Sequence, residues 1–317
     1  MGIQDTERIF VAGHQGMVGA ALMRRLKSES CKTLTVGRKD LDLCDAEAVN
    51  QYFDRQRPTS VVFAAAKVGG VLANQRYPVE FLSQNLLMTT HTINAAFRFG
   101  VKRFLFLGST CIYPRDCPQP ISEAALLTGP LESTNEAYAL AKIAGLKLCQ
   151  AYRSQHGVLY HSAMPTNLYG PGDNYHPEHS HVLPAMIRRF HEAKLSKQSA
   201  VKIWGTGKSR RDFLHVDDLA DALVFLMGLE DPPDWVNVGS GRDLTVYELA
   251  ERIAEVVGYH GDILTDESRP DGAPVKCTDM TCLHGIGWKH RIELMDGLKQ
   301  TYQDYRSDLD TGVLRSI

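Results

Sequence analysis

A tyrosine and a lysine stand four residues apart in the segment Tyr138-Ala139-Leu140-Ala141-Lys142. If this segment is helical, the two side chains leave the same face of the helix, one turn apart. An ammonium group beside a phenol favours the phenolate and lowers its pKa from about 10 towards neutrality, so the tyrosine can exchange a proton with a substrate oxygen. Because such pairs also occur on ordinary amphipathic helices, the pair predicts catalysis only in a suitable context.

A buried strand upstream supplies that context. The apolar run 104–107 leads into Gly108, Ser109, Thr110 and Cys111. Ligands of parallel sheets bind at the carboxyl ends of the strands, so these small polar residues are expected to border a ligand crevice. In an extended chain, Ser109 and Cys111 would point to the same side. Free cysteine is more often a small buried apolar side chain, and that alternative stays open for Cys111.

A glycine fingerprint follows the first predicted strand, 8–12, and opens a predicted helix over 20–26. Glycines permit a tight turn and close approach of the backbone, and the free amides of a helix N-terminus bind a pyrophosphate. This pattern predicts a dinucleotide-binding loop made of Gly13, His14, Gln15, Gly16, Met17, Val18 and Gly19.

The end of the second predicted strand, 33–36, bears on the choice of dinucleotide. Arg38 and Lys39 stand where an NAD enzyme usually has an acidic residue for the ribose 2′-hydroxyl group. Two cations at this point favour NADP(H), although a solvated basic turn is an alternative interpretation.

The composition is that of an ordinary globular chain of 317 residues, with 44% hydrophobic residues and a formal net charge of −2. Nucleic acid is not expected as a partner, because phosphate binding needs a basic excess.

Seven cysteines without metal-type spacing favour a reducing, cytoplasmic location. We expect neither a membrane span nor a signal peptide. The start at Gly2 fits the myristoylation pattern, but chance matches to so short a pattern are common.

The remaining elements predict two interleaved units. Further helices are expected over 42–53 and 78–99, strands over 60–66 and 159–164, and a helix to 257 capped by Thr245.

Asn85 is either functional or satisfies buried backbone groups. The histidines at 176, 179 and 181 do not supply four ligands of fixed geometry, so no metal site is predicted. A Gly-rich basic loop after Trp204 suits a nucleotide diphosphate, with a solvated loop as the alternative.

The order of strand, glycine fingerprint, serine-bearing strand end and Tyr-xxx-Lys helix resembles the extended branch of the short-chain dehydrogenase/reductase superfamily. Within it, the segments 108–114, 165–171 and 176–193 resemble the GDP-L-fucose synthase family. The resemblance extends over nearly the whole chain. The resemblance implies an α/β Rossmann-type, doubly wound parallel sheet with a smaller, mostly C-terminal substrate lobe. Residues 1–170 would bind NADP(H), with returning segments near 213–240, and 171–317 would mainly bind the GDP-sugar.

The resemblance also implies roles for individual residues. The family converts GDP-4-keto-6-deoxy-D-mannose into GDP-L-fucose by epimerising C3 and C5 and reducing the C4 ketone with NADPH. By this resemblance Ser109 hydrogen-bonds the C4 oxygen, Tyr138 protonates it, and Lys142 holds the nicotinamide ribose. Cys111 and His181 fall at the positions of the epimerisation base and acid. A homodimer is also implied.

The binding residues implied by the resemblance are more numerous. Those facing the GDP-sugar are Arg189, Trp204, Arg211 and Asp279. Those facing the cofactor, beyond the glycine loop, are Arg38, Lys39, Asp40, Leu41, Asp42, Leu43, Leu107, Gly108, Ser109, Thr110, Lys142, Pro165, Thr166, Asn167, Leu168 and His181.

Two departures from the family pattern concern Gln15, where an arginine is common, and Thr110, where a serine is common. The first leaves Arg38 as the main selector for NADP(H). Two alternative functions remain at this point. One is a GDP-L-colitose synthase, which epimerises only C5 of a 3-deoxy ketone; the other is a non-catalytic, NADP-sensing protein.

Overall fold

The computed structural model describes residue 3 and residues 6–177, 179–269 and 271–316, with residue 71 described by its backbone alone. Gly2, on which the myristoylation pattern depends, lies outside the described residues. The strands in these ranges are β1 (Arg8–Ala12), β2 (Lys32–Leu34), β3 (Ser60–Phe63), β4 (Arg103–Leu107), β5 (Leu159–Pro165), β6 (Asn167–Tyr169), β7 (Ala200–Trp204), β8 (Arg210–His215), β9 (Trp235–Val238), β10 (Asp243–Thr245), β11 (Asp262–Asp266) and β12 (Val275–Lys276). The α-helices are α1 (Met17–Leu26), α2 (Ala46–Gln56), α3 (Val71–Arg76), α4 (Pro78–Arg98), α5 (Glu136–His156), α6 (Val182–Leu195), α7 (Val216–Gly228), α8 (Val246–Val257), α9 (Thr281–Gly285) and α10 (Leu294–Thr311).

Six parallel strands form a central sheet in the order β2-β1-β3-β4-β5-β9. The chain enters at β1, runs to one edge at β2, and then crosses to the other side through β3, β4 and β5. This doubly wound order confirms the predicted Rossmann-type fold. It opens a crevice at the carboxyl ends of β1 and β3, where the winding direction reverses.

Both faces of the sheet are buried by helices, because successive strand residues point to opposite faces. Ile9 and Val11 of β1 lie in one apolar cluster with Leu22 of α1 and Leu223 of α7. Phe10 points the other way, into a second cluster with side chains of α2, α4 and α5. Each fully buried side chain of this size stabilises the fold by about 1.5–3 kcal/mol, which holds the strand ends of the crevice in fixed positions.

The remaining strands and helices build a second unit around its own core. Strand β8 pairs with β6, β10 and β12, while β7 pairs with β11. Helices α6, α8 and α10 cover an apolar cluster that includes Phe190, Leu249 and Tyr302. Between these elements the chain returns to the first unit, because α7 packs on α1 and β9 pairs with β5.

The structure corrects two predicted boundaries and confirms a third. Strand β2 covers Lys32–Leu34 and does not reach Val36. Helix α2 begins at Ala46, after Asp45 caps it by accepting hydrogen bonds from the amides of residues 47 and 48, and not at Asp42. Asp42 instead accepts a hydrogen bond from the amide of residue 44, a local turn that competes with helix. Thr245 caps α8 in a capping box with Glu248, as its position predicts.

Among the described residues, no helix is both long enough and apolar enough to cross a bilayer.

Candidate active site

A cavity of about 590 Å³ opens at the carboxyl ends of β1, β3, β4 and β5. It is lined by the whole glycine loop, by residues from the ends of four sheet strands, and by Tyr138, Lys142 and His181. The residues predicted to face a cofactor line this cavity with two exceptions, Lys39 and Asp40. The fold thus brings residues from Phe10 to Arg315 together around one cavity, as the topology of a doubly wound sheet allows.

The glycine loop is free of side chains at two positions where a Cβ atom would collide with the protein backbone, which lets a ligand approach the loop. Gly13 has a φ of +85°, and a Cβ atom there would lie 2.9 Å from the backbone carbonyl group of Ala64. A Cβ atom at Gly19 would lie 2.1 Å from the carbonyl oxygen of Gly13. Helix α1 begins directly after this turn, at Met17. A pyrophosphate therefore fits this loop, with the first amides of α1 as hydrogen-bond donors.

Of the two cations after β2, only Arg38 lines the cavity. Asp40 is part of a turn in which its amide donates a hydrogen bond to the carbonyl oxygen of Gly37 at 3.0 Å. This turn leads back to the cavity at Leu41, Asp42 and Leu43. Arg38 is therefore the cation of this pair that is positioned for a 2′-phosphate.

Tyr138 and Lys142 lie one turn apart on α5, as their spacing predicts. The Nζ atom of Lys142 donates a hydrogen bond to the carbonyl oxygen of Leu107 at 2.7 Å and lies 5.6 Å from the centroid of the Tyr138 ring. Burial lowers the pKa of Lys142 to about 8. The surrounding protein raises the pKa of Tyr138, because removal of the phenol from water disfavours its charged form.

The expectation that Lys142 lowers the pKa of Tyr138 is therefore wrong for the protein by itself. Desolvation and the neighbouring Cys111 thiol both raise this pKa, and the lysine is directed towards the strand carbonyl group. The phenol is accordingly neutral near pH 7, which is the form that can donate a proton.

Ser109 and Cys111 do not continue the strand. Residues Thr110–Ile112 form a 3₁₀ turn in which the Ser109 Oγ atom accepts a hydrogen bond from the Cys111 amide at 3.3 Å. The premise of an extended chain, with both side chains on one side, is therefore wrong. Ser109 lines the cavity, whereas Cys111 lies just behind it with 6% of its surface exposed.

Burial raises the pKa of the Cys111 thiol, and the hydrogen bond to Ser109 and the charges of Lys276 and Lys142 oppose that rise. Both lysines are thus close enough to the sulfur to favour the thiolate. Lys276 is not apparent from the sequence, because only the parallel pairing of β12 with β8 brings it beside Arg211.

His181 comes from the second unit and immediately precedes α6. It lines the same cavity as Ser109 and is exposed to solvent. His176 and His179 stack on each other with ring centroids 4.4 Å apart. Within the described ranges, no group of three or more His, Cys, Asp or Glu side chains is placed to hold a metal ion.

The predicted sugar-nucleotide residues fall into two places. Arg189 lies over the Trp204 ring at 5.7 Å, and Arg269 lies 5.0 Å from the same ring. Arg211 stands at the base of the same loop and contacts the carbonyl oxygen of Asp271. Asp279 is not brought together with them.

The Asp279 carboxylate accepts hydrogen bonds from the amide and the hydroxyl group of Thr281, at 2.8 and 2.6 Å. It borders a different cavity, of about 480 Å³, together with Arg242 and Lys289. Asp271, which is not among the predicted site residues, accepts hydrogen bonds from the amide and the hydroxyl group of Thr206 at 2.7 and 2.9 Å. Its signal was the turn motif of Asp271 and Gly272 between two prolines.

Asn85 satisfies backbone groups, one of the two alternatives for this residue. Its side chain accepts a hydrogen bond from the Lys67 amide at 2.8 Å and donates to the carbonyl oxygens of Lys67 and Phe81, at 3.1 and 2.6 Å. It thereby fixes the loop after β3, which lines the cavity.

The fold and this cleft define a nucleotide-dependent epimerase or dehydrogenase. The model of the NAD dependent epimerase/dehydratase family matches residues 9–239 of the chain. Among solved structures, a GDP-L-fucose synthetase from Naegleria fowleri bound to NADP superposes with a TM-score of 0.90 at 29% identity, covering 98% of this chain and 96% of that one.

Within that class, the chain belongs to the GDP-L-fucose synthase family. GDP-L-fucose synthase 1 of Arabidopsis thaliana is 53% identical over 94% of this chain and 93% of its own length. GDP-L-colitose synthase of Yersinia pseudotuberculosis is more distant, with 37% identity over 95% of this chain and 98% of its own length.

Proposed function

We propose that this chain converts GDP-4-keto-6-deoxy-D-mannose into GDP-L-fucose, by epimerising C3 and C5 and then reducing C4 with NADPH. The observation that carries the proposal is the convergence of Ser109, Tyr138, Lys142 and His181 on one cavity beside the glycine loop. Fucose synthesis is favoured over colitose synthesis by the higher identity to the fucose synthase, 53% against 37%.

The C4 ketone explains why acid–base groups and a dinucleotide loop share one cleft. A carbonyl group acidifies the hydrogens on both neighbouring carbons, so a base can remove each of them and an acid can return a proton to the opposite face. Cys111 and His181 are the base and acid of the proposal. The negative charge that develops on the C4 oxygen is stabilised by hydrogen bonds from Ser109 and Tyr138.

In the reductive step, bound NADPH supplies hydride to C4. Tyr138 donates its proton to the C4 oxygen, and its raised pKa keeps it in the neutral form that this step requires. Lys142 is fixed by Leu107 within reach of the tyrosine and holds the nicotinamide ribose. The glycine loop holds the pyrophosphate, and Arg38 holds the 2′-phosphate.

The assignment of one ligand to each of the two units forms part of the same proposal. Residues 1–170, with the returning segment 213–240, bind NADP(H), and the remainder of 171–317 mainly binds the GDP-sugar. Arg189, Trp204 and Arg211 lie together in the second unit, which supports this assignment. The diphosphate suits the two guanidinium groups, and the indole suits the guanine ring.

We also propose a homodimer in the cytoplasm. Helices α4 and α5 pack side by side, and each exposes a leucine: Leu87 is 44% and Leu140 is 43% accessible. These exposed apolar side chains are available for burial against a second copy, which supports the dimer. The cysteines are all unpaired, which supports a reducing compartment.

The test is to incubate the purified chain with NADPH and GDP-4-keto-6-deoxy-D-mannose and to identify the product by NMR. The proposal predicts GDP-L-fucose together with oxidation of NADPH. In a parallel reaction, the 3-deoxy ketone should react more slowly. Faster turnover of the 3-deoxy ketone would instead assign the chain to colitose synthesis, and failure to oxidise NADPH with either sugar would contradict both assignments.

A further inference from the structure

A buried carboxyl group in the cleft has no role in the chemistry proposed above. Asp173 follows β6 and has only 4% of its surface exposed. Its Oδ1 atom accepts a hydrogen bond from the amide of the next residue at 2.7 Å, whereas Oδ2 has no hydrogen-bond partner among the described residues. Asp173 nevertheless lines the same cavity as the glycine loop. A buried polar atom without a protein partner, on a residue that lines a cavity, is available to a ligand group.

The turn that carries Asp173 packs against the start of α1. A Cβ atom on Gly172 would lie 4.0 Å from the Cα atom of Met17, the first residue of that helix. Asp173 is thus beside the point where the fold presents free amides to a pyrophosphate.

The charged and titratable groups around Asp173 are few. Arg315 donates a hydrogen bond to the carbonyl oxygen of Gly172 at 3.3 Å and lowers the pKa of Asp173 through its charge. It forms no ion pair with the carboxyl group in the part of the chain that the structure describes. Tyr175, whose amide donates to the carbonyl oxygen of Arg315, is the neighbouring titratable group on the same turn. Because burial outweighs the distant cation, the pKa of Asp173 rises to about 7.

The two protonation states have opposite effects on an anionic ligand. A protonated carboxyl group has one O–H donor, whereas an ionised one has only acceptor oxygens and repels a phosphate. We propose that protonated Asp173 donates a hydrogen bond from Oδ2 to a diphosphate oxygen of the bound dinucleotide. Ionisation of this group weakens cofactor binding. This inference rests on the proposed NADPH-dependent function and names a further binding residue for it.

Direct binding titrations test the inference without relying on turnover. We would measure the Kd of NADPH by fluorescence at about pH 6 and about pH 8 for the unaltered chain, Asp173→Asn and Asp173→Leu. Asparagine keeps a donor at both pH values, and leucine has the same branching at Cγ but no donor. The unaltered chain should lose up to about tenfold in affinity between the two pH values, as linkage to one proton allows. Asp173→Asn should lose much less affinity between the two pH values, and Asp173→Leu should bind NADPH weakly at both pH values.

The comparison between variants removes the other pH effects. Ionisation of the cofactor phosphates and of the other groups in the cleft is common to all three proteins, so it cancels in the ratio of the Kd values. Equal pH dependence in the unaltered chain and Asp173→Asn would overturn the inference while leaving the proposed function intact. If the unaltered chain binds no NADPH at about pH 6, the proposed function itself fails. Circular dichroism of each variant checks its fold, and the asparagine comparison decides the question if the leucine variant does not fold.

Discussion

Lys142 and Leu107 are joined by a hydrogen bond of 2.7 Å from the ammonium group to the strand carbonyl oxygen. This contact links the middle of α5 to the end of β4, the two elements that carry the proposed reductive groups. The ammonium group is buried, so its position is set by that carbonyl group and not by solvent. Tyr138, one turn earlier on the helix, is thereby held over the same end of the sheet as Ser109.

Replacement of Tyr138 by phenylalanine should reduce NADPH oxidation by about 10²- to 10⁴-fold, because the neutral phenol is the proton donor for the C4 oxygen. Exchange of the C3 and C5 hydrogens should persist at a reduced level. The measurements are NADPH oxidation and deuterium incorporation from heavy water. Tyr152→Phe, on the same helix with its hydroxyl group bonded to Asn94 at the surface, is the control. Normal oxidation by the Tyr138 variant would rule out this role.

Replacement of Arg38 by alanine should raise the KM for NADPH far more than the KM for NADH, because only NADPH loses a charge-assisted contact to its 2′-phosphate. Lys39→Ala is a matched control, since Lys39 does not line the cavity. Steady-state kinetics with both cofactors would provide the comparison. Equal changes for NADPH and NADH in Arg38→Ala would show that the residue does not select the phosphate.

Replacement of Cys111 by serine should separate the two chemistries. Serine retains the size of the side chain but has a pKa far too high for it to act as a carbon base, so solvent exchange at C3 and C5 should collapse. Slow oxidation of NADPH should continue and yield a GDP-6-deoxy-D-hexose, because hydride transfer depends on Tyr138 and Lys142. Replacement of His181 should slow both steps, since it also weakens placement of the sugar.

Mass spectrometry in heavy water and NMR of the sugar would follow the Cys111 reaction. Cys117→Ser, a change of the same kind at a partly exposed thiol nearby, should leave exchange unaltered. If Cys111→Ser exchanges at the normal rate and forms only GDP-L-fucose, another residue is the base.

Asp271 and Asp279 can be distinguished by parallel asparagine substitutions. Asp271→Asn should raise the KM for the GDP-sugar, because this carboxylate organises the loop between Trp204 and Arg211. Asp279→Asn should leave that KM nearly unchanged, because Asp279 hydrogen-bonds to Thr281 and borders a different cavity. The KM for NADPH is the internal control. A larger effect of Asp279→Asn on the KM for the sugar nucleotide would restore Asp279 to the substrate site.

His161 should make the protein sensitive to acid. Its ring is fully buried in β5, neither nitrogen has a hydrogen-bond partner among the described residues, and burial lowers its pKa to about 3. The unfolded chain binds a proton below about pH 6.5, so the free energy of unfolding should fall as pH decreases from there towards 3, by at most about 1.4 kcal/mol per pH unit. His161→Leu should remove this contribution, as measured by urea unfolding between about pH 7 and 4.5. The control variant His260→Leu, at an exposed position, should not alter the slope of the free energy of unfolding against pH. If His161→Leu also leaves this slope unchanged, His161 is not the source of the acid sensitivity.

Local sequence signals were sufficient to predict the features that depend only on residues close together in the chain. The glycine loop, the Tyr138 and Lys142 turn and the Thr245 cap each follow from residue type and short spacing. These features are fixed by backbone sterics and helical periodicity, which act over a few residues.

Features set by competing or distant contacts could not be predicted in the same way. An extended chain after Leu107 would place Ser109 and Cys111 on one side, but Ser109 accepts a hydrogen bond from the Cys111 amide and the chain turns. Lys276 reaches the neighbourhood of Cys111 only through a strand pairing 65 residues away in sequence, between Lys276 and Arg211. The pKa of Tyr138 depends on how much protein surrounds it, which spacing along a helix does not reveal.

The last strand of the central sheet, β9, follows β6, α6, β7 and β8 of the second unit in the chain and yet pairs with β5. Without β9, the backbone groups of β5 would form an open, largely apolar sheet edge that invites pairing with other molecules. The first unit consequently cannot be exchanged between relatives by one crossover after β5, because its sheet is completed by a strand from farther along. Since β10, α8 and α10 return to the second unit after β9, a recombinant that keeps the two units matched needs three junctions, after β5, before α7 and after β9.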